Sequence, residues 1–405
     1  MILGRESGKI MMEDIKKYQK AEKLKKWRDQ VEPIPWYYDG LENLCNRLHP
    51  QQQLLKITDI EQLSRDTKLF RLVSANPKQL IAPFRAGQYI GLTIEINGVR
   101  TSRPYSLVSS PNQLAYYELG IKKKEEGFVS PYLFENIKIG DILEATEPLG
   151  NLYYNRLFHG INLVFIAGGS GCTPFISMLR DISEREIPLN VWMLFGCLTE
   201  EDILFRNVLE DIQKRRSNIK VVNILSEACS EWTGESGFIS KDKILKVIGS
   251  IEKKFFYIVG NRPMYHFVLD ELKELGVPQH RIAHEAFGVP DDITQIMGWP
   301  AEIDTSKKVQ ITIDFRRYGK IEQKVFEASC TEPILNSLER AELKELEIKS
   351  GCRSGECALC RTKLVSGKIF IPPEVTTREA DKDYNFIHPC ISYPLTDIHL
   401  NLNET

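Results

Sequence analysis

Cysteine is scarce in this sequence: nine residues in a chain of 405 are too few for a disulfide scaffold. Any that cluster are therefore read as metal ligands or reactive thiols. Long hydrophobic runs are missing too. No segment offers the roughly 20 uncharged apolar residues of a membrane-spanning helix, so a helical membrane protein is set aside. Neither sign of charge dominates, since 53 Lys and Arg face 55 Asp and Glu for a formal net charge of -2. Overall electrostatic attraction to nucleic acid or to an anionic membrane is therefore excluded as an organising feature. Arg5, Glu6 and Lys9 interrupt the first residues before the apolar core of a secretory signal can form, and the cytoplasm is the expected location. There is no internal repeat, no low-complexity tract and no G-x-G-x-x-G, so solenoids and two-half Rossmann dehydrogenases are disfavoured.

The size predicts several domains, because single cores stop growing at about 250 to 300 residues. Residues 1–50 form a helical extension in this reading: Lys16, Lys17, Lys20, Lys23, Lys25, Lys26 and Arg28 share an amphipathic spacing with Ile15, Tyr18, Leu24, Trp27 and Val31. Packing on the neighbouring domain, a basic docking surface and membrane-surface contact all remain open for it. Between 51 and 157, short runs such as Lys68–Val73 and Tyr89–Ile94, broken by Gly and Pro, predict a small antiparallel β-barrel. From 158 to 300 the rhythm changes to apolar runs at helical separation, Asn162–Ile166, Leu189–Phe195, Lys220–Leu225 and Phe255–Val259. That is the pattern of a parallel sheet with crossover helices. Residues 308–405 open with a hairpin pattern, Val309–Ile313 and Gln323–Phe326 about Gly319, followed by a helix over Ile334–Ala341.

The strongest signal is Cys352-Arg-Ser-Gly-Glu-Cys357-Ala-Leu-Cys360, with Cys390 thirty positions on. A C-x4-C-x2-C unit with a distant fourth cysteine is the plant-type [2Fe-2S] spacing, whereas structural zinc sites more often pair two C-x2-C units. Gly351 and Gly355 suit a loop folded closely round such a cluster. Cys330 lies outside the pattern and is read as a core residue.

Arg103-Pro104-Tyr105-Ser106 supplies the chemical types that a flavin needs: a cation for phosphate, a flat ring, and a hydroxyl for N5. Gly127-Phe128-Val129-Ser130 precedes a helix near Pro131, where free N–H groups and the Ser130 hydroxyl suit a pyrophosphate. Gly168-Gly169-Ser170-Gly171-Cys172-Thr173-Pro174 follows an apolar strand and opens a helix, as a nucleotide-binding turn does.

In that order, these motifs over residues 51–290 resemble the ferredoxin-NADP reductase family, and residues 308–405 resemble a plant-type ferredoxin domain of the β-grasp fold. The combination is similar to the reductase components of oxygenases. The resemblance implies FAD rather than FMN, a nicotinamide donor, and a [2Fe-2S] cluster on Cys352, Cys357, Cys360 and Cys390. It further implies catalytic roles for Tyr105, Ser106 and Glu285, and a nicotinamide contact at Gly260 and Met264; a solvated surface carboxylate stays open as the other reading of Glu285. Relatives often have cysteine where Val259 stands and glycine where Ala358 stands. Leu198 offers no charge at the usual place of a 2'-phosphate arginine and Glu200 and Glu201 would repel a phosphate, so NADH is favoured over NADPH; Arg206 could overturn that. Electrons would pass singly through the cluster to a separate protein, an oxygenase or another iron-sulfur enzyme. The alternative is an electron-transfer subunit fixed in a larger complex.

Overall fold

The computed structural model describes residues 44–403 apart from 288–289, 291, 318–319, 342–348, 374 and 376. The basic amphipathic stretch before residue 44 and the turn at Gly319 lie outside the described residues. Residues from Pro50 onward form one compact unit. Among the described residues no helix is long and apolar enough to cross a membrane.

The first sheet holds β1 (Gln53–Ser64), β2 (Thr67–Ser74), β3 (Tyr89–Ile96), β4 (Val99–Ser106), β5 (Tyr117–Lys122) and β6 (Ile142–Ala145). All pairings are antiparallel, in the order β4-β3-β6-β1-β2-β5. Its two edges meet: Leu107 bridges Leu119, and the Val108 N–H donates to the Glu118 carbonyl at 2.8 Å. Closure removes the edges and curls the sheet into the expected barrel. Alternation fills it, with Leu55 and Ile57 buried and Lys56 exposed between them.

The second sheet holds β7 (Asn162–Gly168), β8 (Asn190–Cys197), β9 (Ile219–Leu225), β10 (Glu235–Ser236), β11 (Phe255–Asn261) and β12 (Ile282–Phe287), all parallel. Its strands read as continuous apolar runs because both faces are covered. Leu163, Phe165 and Ala167 pack with the helices Thr173–Glu184 and Arg206–Arg215, while Val164 and Ile166 pack with Lys241–Ile248 and Arg262–Glu274. The order β10-β9-β8-β7-β11-β12 means that the chain starts in the middle, runs outward one way, then crosses to the other side. The reversal between β7 and β11 is the topological switch point, where parallel sheets bind ligands beyond the strand ends.

The third sheet orders β13 (Lys308–Arg317), β14 (Lys320–Ser329), β15 (Thr362–Ser366), β17 (Phe386–Ile387) and β19 (Ile398–Asn401) as β14-β13-β19-β15-β17. A hairpin, a helix (Ile334–Arg340) and a parallel pairing of β13 with β19 make it a β-grasp fold. A small side ladder joins β16 (Ile369–Phe370) to β18 (Tyr393–Pro394).

Candidate active site

The Cys loop is built without regular structure, and its backbone is bent by left-handed residues: Arg353 (φ 52°), Gly355 (φ 86°) and Ala358 (φ 56°). The bends turn N–H groups onto sulfur. Ser354 and Cys357 each donate to the Cys352 Sγ at 3.3 Å, and Cys352 donates to the Cys357 Sγ at 3.4 Å. The Cys352 thiol also takes hydrogen bonds from the Cys357 and Cys390 thiols, which holds it far below the usual thiol range. Cys390 meets Cys360 as well, so Cys390, remote in sequence, touches two of the other three. A Cβ on Gly351 would lie 2.9 Å from Leu359 Cδ1 and 3.4 Å from the Cys357 Sγ, which explains glycine there. Among the described residues no three His, Cys, Asp or Glu side chains are arranged for a single metal ion. A binuclear cluster takes four cysteine sulfurs, and a pocket that gathers four thiols under backbone N–H donors fits that demand; the hydrogen bonds among them hold Cys352 and Cys360 low and their partners Cys357 and Cys390 high. Cys330 is buried outside this set, as expected.

On the barrel, Arg103, Pro104, Tyr105 and Ser106 form the last half of β4. Burial and the neighbouring Arg353 guanidinium push the Arg103 guanidinium down to about 10. Its Nη1 donates to Thr101 Oγ1 and to the Ser102 carbonyl, both at 2.7 Å. Tyr105 packs on the barrel core, and burial raises its phenol well above the ordinary range. Val129 is buried in the same core, which leaves only its backbone for a ligand. Gly127 closes a turn with Lys124, and Ser130 Oγ accepts from the Lys124 N–H at 3.0 Å, keeping its own hydrogen to donate. The helix Ser130–Asn136 starts where expected, with Pro131 in its first turn.

Gly168 ends β7, residues Gly169–Cys172 make a 3-10 turn, and Thr173 and Pro174 open the next helix. The glycines divide their labour. A Cβ on Gly168 would meet the Met264 sulfur at 2.1 Å, one on Gly171 the Val259 carbonyl oxygen at 2.3 Å, and one on Gly260 the Met264 sulfur at 2.6 Å. Gly168 and Gly260 thus leave room for the Met264 side chain of the helix Arg262–Glu274, and Gly171 lets the turn after β7 lie against the Val259 carbonyl of β11 at the switch point. Gly169, with φ 52° and nothing near its missing Cβ, faces open space. Thr173 is buried, its hydroxyl donating to the Ser170 carbonyl at 2.9 Å. Val259 and Cys172 are both buried core residues, and burial, with Cys197 nearby, raises the Cys172 thiol. Neither side chain is presented to a ligand.

Glu285 lies on β12 opposite Val259. Its Oε2 is buried with no partner among the described residues, so it is not a solvated surface carboxylate. Burial, with Glu356 and Cys352 nearby, pushes the carboxyl up to about 8.

One residue that sequence reasoning missed ties these parts together. Tyr89 opens β3 directly opposite Ser106, is 4% exposed, and has its phenol raised by burial and by the charges of Cys352, Cys357 and Glu285. The flavin motif, the edge of the parallel sheet and the Cys loop thus converge on Tyr89. Nothing local marks it, because its role arises from strand register and from segments more than 190 positions away.

The barrel is then held to its neighbours at two places. Glu118 on β5 receives Arg71 (2.8 Å) and, from the helix Thr173–Glu184, Arg180 (2.6 Å). Thr101 on β4 donates to Glu339 (2.9 Å) and accepts from Arg353 (2.8 Å), which itself pairs with Glu339, and Ser102 bonds Ser350.

Comparison with known proteins agrees with this construction. Residues 54–154 match the oxidoreductase FAD-binding domain, 165–270 the oxidoreductase NAD-binding domain, and 320–395 the 2Fe-2S iron-sulfur cluster binding domain. The anthranilate 1,2-dioxygenase electron transfer component of Acinetobacter baylyi is 31% identical over 254 residues, 62% of this chain and 72% of that protein. The chain belongs to the ferredoxin-NADP reductase family, with a C-terminal [2Fe-2S] domain. A second family member, the glycine betaine monooxygenase reductase subunit of Chromohalobacter salexigens, is 24% identical over 348 residues, 82% of this chain and 90% of that one. The solved structure of phthalate dioxygenase reductase shares the fold with a TM-score of 0.61 at 23% identity, covering 87% of this chain and 98% of that one. As a family member, the protein is an NAD(P)H-dependent oxidoreductase whose domains bind FAD, a nicotinamide nucleotide and a [2Fe-2S] cluster.

Proposed function

We propose that the chain is the reductase of an oxygenase system, taking hydride from NADH and delivering electrons singly, through Cys352, Cys357, Cys360 and Cys390, to a protein acceptor. We assign flavin binding to residues 51–157, nicotinamide binding to 158–300 and cluster binding to 308–405. The observation that carries the reading is the seating of the Cys loop on the strand of the flavin motif, where Arg353 bonds Thr101 and Ser350 bonds Ser102. The names of the relatives, reductase components of an anthranilate dioxygenase and a glycine betaine monooxygenase, support an oxygenase as acceptor.

Bound FAD supplies the conversion of a hydride pair into single electrons, and the cluster carries one at a time. Arg103 and the Ser130 hydroxyl would hold flavin phosphate, Tyr105 would supply a flat group for the ring, and the Ser106 hydroxyl would supply a hydrogen-bond donor to it. Gly169 and the open end of the helix Thr173–Glu184 would receive the nucleotide pyrophosphate, and Gly260 and Met264 would contact the nicotinamide. Glu285, protonated at neutral pH by its burial, can donate a hydrogen bond within the site. NADH is favoured because Arg206 is already occupied: it pairs with Glu200 at 2.6 Å and with Glu210 at 3.2 Å. Its charge is thereby balanced before any 2'-phosphate arrives.

Stepwise NADH addition to purified protein, followed by absorption, tests the whole route. Flavin and cluster bands should bleach in turn, and Cys357→Ser should abolish the second change and acceptor reduction while leaving the first. A cluster untouched by NADH would sink the proposal.

A further inference from the structure

Two chain segments carry the four cysteines, the Cys352–Cys360 loop and the stretch ending at Cys390, and one polar chain joins them at two points of the loop. His388, 1% exposed and two positions before Cys390, points Nδ1 at the Gly355 carbonyl (2.6 Å), between Cys352 and Cys357. Its Nε2 faces Asp381 Oδ2 at 3.0 Å, and Asp381, 4% exposed, reaches Arg361, next to Cys360, at 3.3 Å. A carbonyl only accepts, so the Nδ1 hydrogen lies toward Gly355 and a proton lies between Nε2 and Asp381. Gly355 has no slack of its own: it sits at φ 86°, and a Cβ there would lie 3.0 Å from both Ile391 and Val375.

We infer that His388, oriented by Asp381, is a positioning residue that holds the Gly355 carbonyl away from the sulfurs and registers the Cys390 segment against the Cys352–Cys360 loop. This rests on the reading of the four cysteines as cluster ligands. A buried carbonyl left without its donor is destabilised and is free to rotate. Rotation of its oxygen toward the sulfurs disfavours the added electron, so the cluster potential falls along with retention.

The test uses the full chain with bound cofactors as wild type, His388→Asn, His388→Gln and Asp381→Asn. An Asn amide nitrogen occupies the place of Nδ1, whereas that of Gln occupies the place of Nε2. Iron release to a chelator and the midpoint potential from an EPR-monitored titration are the readouts, with flavin reduction by NADH as the folding control. His388→Gln should release iron about tenfold faster at a lower potential, His388→Asn should stay within about twofold of wild type, and Asp381→Asn should fall between. Wild-type behaviour of His388→Gln, or equal loss in the Asn and Gln variants, overturns the inference. Should the Gln variant not fold, Asp381→Asn indistinguishable from wild type in both readouts overturns it instead. Wild-type protein without iron would defeat the ligand reading itself.

Discussion

Neutralising Glu118 should loosen the barrel from the parallel sheet. Its carboxylate is 3% exposed and balances two guanidiniums from different elements, Arg71 on β2 and Arg180 on the helix Thr173–Glu184. In Glu118→Gln one oxygen remains to accept, while the amide N–H groups face a cation. Removing one partner of a fully buried pair costs ~3–5 kcal/mol. The Arg71 side chain is 40% exposed and keeps much of its hydration, whereas that of Arg180 is 21% exposed. Counting the Arg180 half in full and discounting the other gives about 2–3 kcal/mol. Urea titration followed by flavin fluorescence should show flavin release at a correspondingly lower midpoint, and stopped-flow reduction by NADH should slow as the two sheets lose registry. Arg71→Ala should cost no more than about 1 kcal/mol by the same measure. A Glu118→Gln variant within about 0.5 kcal/mol of wild type, with unchanged flavin reduction, would refute the reasoning.

Ala358 sits at φ 56°, where a Cβ costs roughly 1–2 kcal/mol, so Ala358→Gly should slow iron loss to a chelator; a faster loss contradicts the strain argument. Burial raises the Glu285 carboxyl to about 8 from an ordinary 4.5, so the folded protein binds the extra proton and stability falls as pH rises through that window. Glu285→Gln should therefore be more stable than wild type at pH 8.5 and little different at pH 4.5, read from denaturation midpoints at both. Glu200→Ala frees one side of Arg206, and kcat/KM for NADPH should rise about tenfold relative to NADH in steady-state assays. Adding a Cβ at Gly168 would drive into the Met264 sulfur, so Gly168→Ala should raise KM for NADH or abolish reduction, measured against unchanged cluster content.

Sequence alone separated the two large sheets because burial differs. One-sided burial in the barrel leaves alternation, as at Leu55, Lys56 and Ile57, while two-sided burial in β7 leaves an unbroken apolar run. The cysteine cluster was legible because its spacing is local, and the structure brings the distant Cys390 to it. Tyr89 was not, since its neighbours Ser106, Glu285 and Cys352 are set by register and tertiary contact. Glu118 read as an ordinary polar strand residue because its cations stand 47 and 62 positions away. The glycines of the turn after β7 were given one job in the sequence reading. The structure gives Gly168 and Gly171 to packing against Met264 and Val259, and leaves Gly169 toward open space.

The parallel pairing of β13 with β19 also orders events during synthesis. Gln310 at the start of the third sheet bonds Asp397, 87 positions later, so a central ladder of that sheet waits until nearly all of its segment has left the ribosome. At roughly 5–20 residues per second that is a delay of several seconds. The barrel and the parallel sheet, whose strands are complete earlier, can fold in that interval. The third sheet then closes against two neighbours already standing.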